Sequence, residues 1–550
     1  MKKIHPFYLS ALTGLLLFAA WPVSPLTFLI FIAFIPLLWL DRQGIRRIKF
    51  FGWVYLSMLI WNIGATWWVW NSTAPGAAGA ILANSLLMCL PWLAFHFVRQ
   101  RMGSTIGYLS LLVFWLGFEY FHLQNWGLSW PWLTLGNVFA THPDWVQWYE
   151  FTGTSGGGLW ILGLNVLLFQ LLWQAVQRKT TNGRSKLNGR NKLNRRSMVI
   201  AALVLLLPLL LSVLLIPSPE IDPSGSVTTT AVKPQTSNIV IVQPNIDPYM
   251  KISAGSFDAQ LSKLLRLSES AIDSNTTLVI WPETALFTEH GIEEGHMKEN
   301  YFLRPLWDFL RRHPRINLLT GIESFRFFNN KHSASAFKIP DAEEYVESYN
   351  AAAILDSSGP VSFYHKSMLV PGVETLPPFL HFLDSWFEKF GGTTEGYTGQ
   401  PDRTPLQTTD HHYRIATAVC YESIYGEFMS RYVRNGADII AIITNDGWWG
   451  NTAGHKQHEN YARLRAIETR RWVVRSANTG ISCIIDPAGR IIDSRPWDQA
   501  ATIRRSVPAE QKMTFYARYG DGISRLAIAL TALFLIWNLV TIIKTRTSRG

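Results

Sequence analysis

Cysteine is almost missing from this chain of 550 residues, which holds three: Cys89, Cys420 and Cys483. Cys89 lies inside an apolar run and Cys483 inside a strand-like one, so a disulfide framework is excluded and Cys420 is left free to act as a nucleophile. Metal-ligand sets are missing too. His411, His412, His455 and His458 stand without a ligand pair at coordination spacing and read as helix-surface residues or as support behind a site, so neither metal nor cofactor is expected. Lys and Arg are absent from the loops at 22–25, 71–76 and 122–158, although the formal charge is +11. The basic residues gather in short clusters beside apolar runs rather than along one face, which excludes nucleic acid as a partner. Charge is scarce inside those runs, so no ion pathway is expected.

Long apolar stretches are plentiful. A helix needs roughly 20 mostly apolar residues to span a bilayer, and eight stretches come close, at 7–21, 26–40, 51–70, 77–98, 106–121, 159–176, 198–216 and 526–543. Every second connection is basic: Lys2 and Lys3; Arg42, Arg46, Arg47 and Lys49; Arg99 and Arg101; the run from Arg178 to Arg196; and Lys544, Arg546 and Arg549. Cytoplasmic loops retain Lys and Arg, so the alternation predicts eight crossings with both termini inside. It divides the chain into a membrane domain of seven helices (1–216), a Pro-, Ser- and Thr-rich linker (217–237), an extracytoplasmic domain (238–522) and a final helix with a cytoplasmic tail (523–550). A multi-pass membrane protein fits this plan.

The segment 238–522 reads differently. Short β-branched runs recur at 238–242, 277–281, 316–321, 351–355, 415–420, 438–444, 472–475 and 481–485, with helical patterns between them at 256–272 and 455–471. The fold class is α/β. Three polar signals end these runs: Glu283 in Trp-Pro-Glu-Thr, Lys366 after Phe363 and Tyr364, and Cys420 before Tyr421, Glu422 and a helical pattern from Tyr425 to Arg434. A thiol on a strand-to-helix turn is exposed and sits near backbone N–H groups that lower its pKa and bind an oxyanion.

The strings Trp281-Pro282-Glu283, His365-Lys366 with Glu374 further on, Val419-Cys420-Tyr421-Glu422 and Thr444-Asn445-Asp446 resemble the nitrilase superfamily of carbon–nitrogen hydrolases. With Gln243-Pro244-Asn245-Ile246, Asn445-Asp446-Gly447-Trp448-Trp449-Gly450, Gln457-His458 and Tyr516-Ala517-Arg518-Tyr519-Gly520-Asp521, the whole chain resembles the apolipoprotein N-acyltransferase family. The resemblance implies a four-layer α-β-β-α domain inserted in a polytopic helical membrane domain. It implies an acyl chain moved from a phospholipid donor in the bilayer to the α-amino group of a diacylglyceryl apolipoprotein. Glu283 would be the general base, Lys366 the cationic stabiliser and Cys420 the nucleophile, with Glu374, Tyr421 and Glu422 at further functional positions.

Chemistry makes that assignment coherent. A thiol needs a base or a cation to attack an ester, and the resulting thioester stays reactive toward an amine, which gives ping-pong transfer. Water must then be kept out. Trp448 and Trp449 either line a lipid entrance or pack a turn held by Gly447 and Gly450. Phe379, Phe382, Leu383, Trp386, Phe387 and Phe390 share one face of a helix expected over 377–390, which either covers the site at the membrane surface or packs on its own domain. The competing reading is a membrane-anchored amidase or nitrilase-like hydrolase of a soluble substrate.

Overall fold

The structure is a computed structural model that describes residues 4–181, 195–217, 237–250, 256–375, 382 and 396–547. Almost all of the linker expected at 217–237, and the helix expected over 377–390 apart from Phe382, lie outside the described residues.

The apolar runs fold as helices whose outer faces stay apolar. On Arg195–Leu215, Leu203, Leu207, Leu210 and Leu214 all point outward, and Leu214 is 81% exposed. A water-facing helix does not present such a surface, whereas a lipid-facing one does. Among the described residues five helices are long and apolar enough to cross a membrane: Arg47–Asn71, Ala74–Met102, Ser104–His122, Tyr149–Gln177 and Arg195–Leu215. Pro6–Ala20 and Gly522–Asn538 are shorter apolar helices.

The second expected span is broken. It forms the 3-10 turn Thr27–Phe31 and the short helix Ile35–Arg42, whose first turn carries Pro36. The side chain of Asn165 bridges the break, accepting from the Phe34 amide at 2.9 Å and donating to the Ile30 carbonyl at 2.9 Å. An unpaired backbone group in an apolar layer costs several kcal/mol, about what this amide offsets.

Among the described residues, fourteen strands follow in two mixed sheets: β1 (Ser237–Gln243), β2 (Thr276–Ile280), β3 (Ile292–Glu293), β4 (Asn317–Phe328), β5 (Phe337–Lys338), β6 (Tyr345–Leu355), β7 (Ser362–His365), β8 (Leu406–Gln407), β9 (Arg414–Val419), β10 (Ile439–Thr444), β11 (Trp472–Ala477), β12 (Ser482–Ile485), β13 (Ile491–Arg495) and β14 (Ala501–Val507). The eight-stranded sheet runs β14-β1-β2-β4-β6-β5, with β3 beside β4 and β7 beside β6; the six-stranded sheet runs β13-β12-β11-β10-β9-β8. β1, β2 and β4 pair in parallel, as do β9, β10 and β11. Both sheets are buried on two faces. In β1, Val240 and Val242 pack with Leu261 and Leu264 of helix Ser256–Ala271, while Ile239 and Ile241 pack in the cluster that holds Ala416, Ala418, Ile440 and Ile442 of the other sheet. The period of two in a strand produces this division.

Helix Ala453–Thr469 lies between the six-stranded sheet and the apolar helices, and 14 of its 17 residues are buried. His455 and His458 are fully buried there, so the helix-surface reading of these two fails. The helix ends at Arg470, which takes a left-handed φ of 51°. Its guanidinium donates to Glu150 Oε2 (2.7 Å), Gln147 Oε1 (2.7 Å), the Gln147 carbonyl (3.0 Å) and the Pro487 carbonyl (2.9 Å). The sheet domain is thus fastened to the start of helix Tyr149–Thr181. That helix is interrupted at Gly153, whose φ is 61° and where a Cβ would fall 2.3 Å from the Tyr516 ring.

Arg470→Ala leaves the buried Glu150 carboxylate only the longer ion pair to Lys512, at 3.9 Å, and should cost about 3 kcal/mol. Unfolding in detergent, followed by protease sensitivity, should show the loss; wild-type stability would mean that this contact does not hold the two parts together.

Candidate active site

Three strands end on one side of the sandwich. Glu283 follows β2, Cys420 follows β9 and Asn445 follows β10, so the carboxyl ends of parallel strands gather the polar groups, as open α/β sheets commonly do. Lys366 follows β7, which pairs antiparallel with β6 in the sheet that holds β2. Glu283 sits on a tight bend. Gly321 packs beneath it, where an added Cβ would lie 2.5 Å from the Pro282 carbonyl and 2.6 Å from the Glu283 Cα.

Lys366 is 1% exposed. Its Nζ lies 2.8 Å from Glu374 Oε1 and 3.5 Å from Glu283 Oε1. Burial opposes its charge, but the Glu374 and Glu283 carboxylates outweigh that and hold it protonated, well above the usual lysine range. Asn350, on β6, donates from its Nδ2 to Glu283 Oε1 and to Glu374 Oε1, both at 2.9 Å. The remaining oxygens accept from backbone: Asn445 N to Glu283 Oε2 at 3.0 Å, and Val370 N to Glu374 Oε2 at 2.8 Å. Asn350 was not legible as a site residue; a lone amide in the apolar strand Tyr345–Leu355 was the available signal.

Cys420 opens the short turn Cys420–Ile424 at a left-handed φ of 55°. Its thiol pKa is raised, first by burial and then by Glu283, and Lys366 offsets only part of this. The direction is opposite to the expected lowering: for a partly buried thiol beside the Glu283 carboxylate, lost solvation and repulsion of the thiolate outweigh what the turn offers. The arrangement is a protonated thiol beside a carboxylate and a cation, which suits proton transfer followed by attack on a carbonyl.

The other candidates support this centre. Glu422 is fully buried; its Oε1 accepts from Tyr364 OH (2.8 Å), Ser367 N (2.6 Å) and Met368 N (3.0 Å), and its Oε2 from Val419 N (2.9 Å). It clamps the Lys366 loop to the Cys420 strand, and burial pushes its pKa up to about 7. Tyr421 OH donates to the Ser129 carbonyl at 2.5 Å, and Tyr425 OH donates to Tyr421 OH at 2.9 Å. Trp449 packs against Trp68 (4.8 Å between centroids) and Trp132 (5.4 Å), both from the apolar half of the chain. Trp448 is 38% exposed and meets only the edge of Tyr249 among described aromatic pairs.

The carbon–nitrogen hydrolase family model matches residues 238–511, and the model of the apolipoprotein N-acyltransferase N-terminal domain matches residues 13–167. An apolipoprotein N-acyltransferase of Chlorobaculum tepidum is 30% identical over 96% of this chain and 96% of its own length. The chain belongs to the apolipoprotein N-acyltransferase family. A second family member, from Pseudomonas putida, is 27% identical over 96% of this chain and 94% of its own length. Among solved structures, Saccharomyces cerevisiae Nit3, a member of branch 10 of the nitrilase superfamily, aligns with 51% of this chain and 93% of its own at 16% identity and a TM-score of 0.37. The family makes this protein an acyltransferase of the nitrilase superfamily with membrane-associated helices.

The electrostatics predict how the thiol titrates. Glu283 raises the Cys420 pKa, so Glu283→Gln should move the pH midpoint of Cys420 alkylation by iodoacetamide downward, and Lys366→Met should move it upward. Peptide mass mapping separates Cys420 from Cys89 and Cys483. An unchanged or raised midpoint in Glu283→Gln would sink this account.

Proposed function

We propose that this protein moves an acyl chain from a phospholipid to the α-amino group of the diacylglyceryl-modified N-terminal cysteine of apolipoproteins, through a thioester on Cys420. The observation that carries the reading is the Glu283–Lys366 pair beside the Cys420 thiol, in a domain seated on apolar helices through Trp68, Trp132 and Trp449.

Glu283 takes the thiol proton, and the thiolate attacks the ester carbonyl of the donor. Lys366 stabilises the oxyanion of the tetrahedral intermediate. The ester C–O bond then breaks, the lysophospholipid oxygen takes the proton back from Glu283, and a thioester remains. In the second half the acceptor amine attacks the thioester carbonyl, the C–S bond breaks, and the amine proton returns through Glu283 to the sulfur. Atoms and charges balance in both halves without a cofactor. Glu374 and Glu422 hold the reacting groups in place, Tyr421 and Trp449 meet Ser129 and Trp68 of the apolar half, and the half-exposed Trp448 stands beside Tyr249.

The topology belongs to the same proposal: eight crossings, both termini in the cytoplasm, and a four-layer α-β-β-α domain over 238–522 on the outer face of a bacterial inner membrane. The split of β1 side chains between two apolar clusters supports the layering, and the lysine- and arginine-free loops support the orientation. Reporter fusions after residue 101 and within 122–158 read it directly. A water-using hydrolase needs no such seat for its site, and the aromatic seam against the apolar helices favours transfer over hydrolysis.

Purified protein given a phospholipid labelled in its acyl chain should form a hydroxylamine-sensitive adduct that Cys420→Ala abolishes. Mass analysis should then show the label as an amide on an added diacylglyceryl peptide. No adduct on folded wild-type protein would refute the covalent scheme.

A further inference from the structure

We infer that His458 is a positioning residue for Cys420, carried to it by the same helix that grips the apolar half of the chain; this rests on Cys420 being the acylated nucleophile.

Cys420 adopts a left-handed conformation without being glycine, a state that persists only where its surroundings hold it. In that conformation the thiol lies within the electrostatic reach of Glu283 and Lys366. What holds it is the carbonyl side of the residue. The Cys420 carbonyl accepts from Ser423 Oγ at 2.8 Å and lies 3.1 Å from His458 Nε2, which is also 3.0 Å from Ser423 Oγ.

The other ring nitrogen decides the donor. Nδ1 stands 3.0 Å from Asp446 Oδ1 and 3.0 Å from Arg475 Nη2, and Arg475 Nη2 also donates to Asp446 Oδ2 at 2.7 Å. In a neutral ring with Arg475 donating to Nδ1, the proton is on Nε2. In an imidazolium both nitrogens carry protons. The remaining tautomer, with Nδ1–H on Asp446 Oδ1, would set the Nε2 lone pair against the Cys420 carbonyl and draw the Ser423 hydroxyl from that carbonyl to Nε2. Assigned from this network, Nε2–H donates to Cys420 in either favourable state.

The neighbouring residue faces the other way. Gln457 Oε1 accepts from Trp132 Nε1 at 2.7 Å, and its Nε2 donates to the Pro22 carbonyl at 2.6 Å and the Ala65 carbonyl at 3.3 Å. Two successive residues of helix Ala453–Thr469 therefore join the apolar seat to the backbone of the nucleophile. Trp132 and Trp449 enclose the imidazole at 5.8 and 5.5 Å between centroids.

The experiment is single-turnover acyl-adduct formation on the full-length protein in detergent with labelled phospholipid, comparing His458→Gln with His458→Asn. The Gln amide reaches the Cys420 carbonyl; the shorter Asn amide reaches Asp446 but falls short of Cys420. Expected is a rate on the order of 10- to 100-fold below wild type for Asn, with most of it restored in Gln and the half-saturating phospholipid concentration unchanged in both. Thermal unfolding of both variants serves as the fold control. Equal rates in the two variants, or a loss expressed in half-saturation alone, overturn the proposal. A wild-type protein that forms no adduct overturns the acyl-carrier reading and this one with it, so the two failures are distinct.

Discussion

A lysine ammonium taken out of water costs several kcal/mol unless it is paired, and Lys366 is almost completely taken out of water. One carboxylate would neutralise it, yet two converge on it, bridged by the single amide of Asn350. The second carboxylate has a physical use on the proposed chemistry. When Glu283 accepts the thiol proton it loses its charge, and Lys366 would be stranded if Glu283 were its only partner. Glu374 remains as counter-ion at 2.8 Å. The negative charge moves from the carboxylate to sulfur, so the cluster keeps the same net charge and no new charge has to be desolvated in the step.

That arrangement dictates much of the fold around it. The acceptors of Glu283 and Glu374 are filled by backbone N–H groups from Asn445 and Val370, so the end of β10 and the loop after β7 must meet. Glu422 enforces the meeting from beneath by accepting from both the Lys366 loop and the Cys420 strand. Gly321 is required because β4 passes under the Glu283 bend with no room for a side chain. The two sheets are joined where the chemistry needs them joined.

Those local relations explain what the sequence could reveal. β1, β2, β9, β10 and the start of β11 are short, mostly apolar runs because they are buried on both faces, and they were legible for that reason. Glu283, Lys366 and Cys420 each interrupt or end such a run, so they were visible as candidates, while their convergence depends on sheet order and was carried by resemblance. β13 and β14 were missed because they lie at sheet edges and carry Asp493, Arg495, Arg504 and Arg505. Asn350 was missed as a site residue because its partners Glu283 and Glu374 are distant in sequence, whereas His458 was read as helix surface or as support behind a site, with nothing in the sequence to name Cys420 as what it supports. Asn165 illustrates the same limit in the apolar half: nothing near 26–40 announces that a side chain more than a hundred residues away will stitch a broken helix.

On the proposed chemistry, the raised thiol and the apolar seat follow from one constraint. A thioester survives long enough to meet an amine only if water is kept from it, and a site that excludes water withholds the solvation a thiolate needs. The Cys420 thiol pKa is accordingly raised, with burial the leading cause. Such a site cannot rely on a standing thiolate, as exposed reactive cysteines do, and must generate the nucleophile at the moment the ester arrives. A buried carboxylate next to the thiol, a permanent cation for the oxyanion and a second carboxylate to keep that cation paired meet this requirement together. Removing water to protect the intermediate is thus what makes the base indispensable.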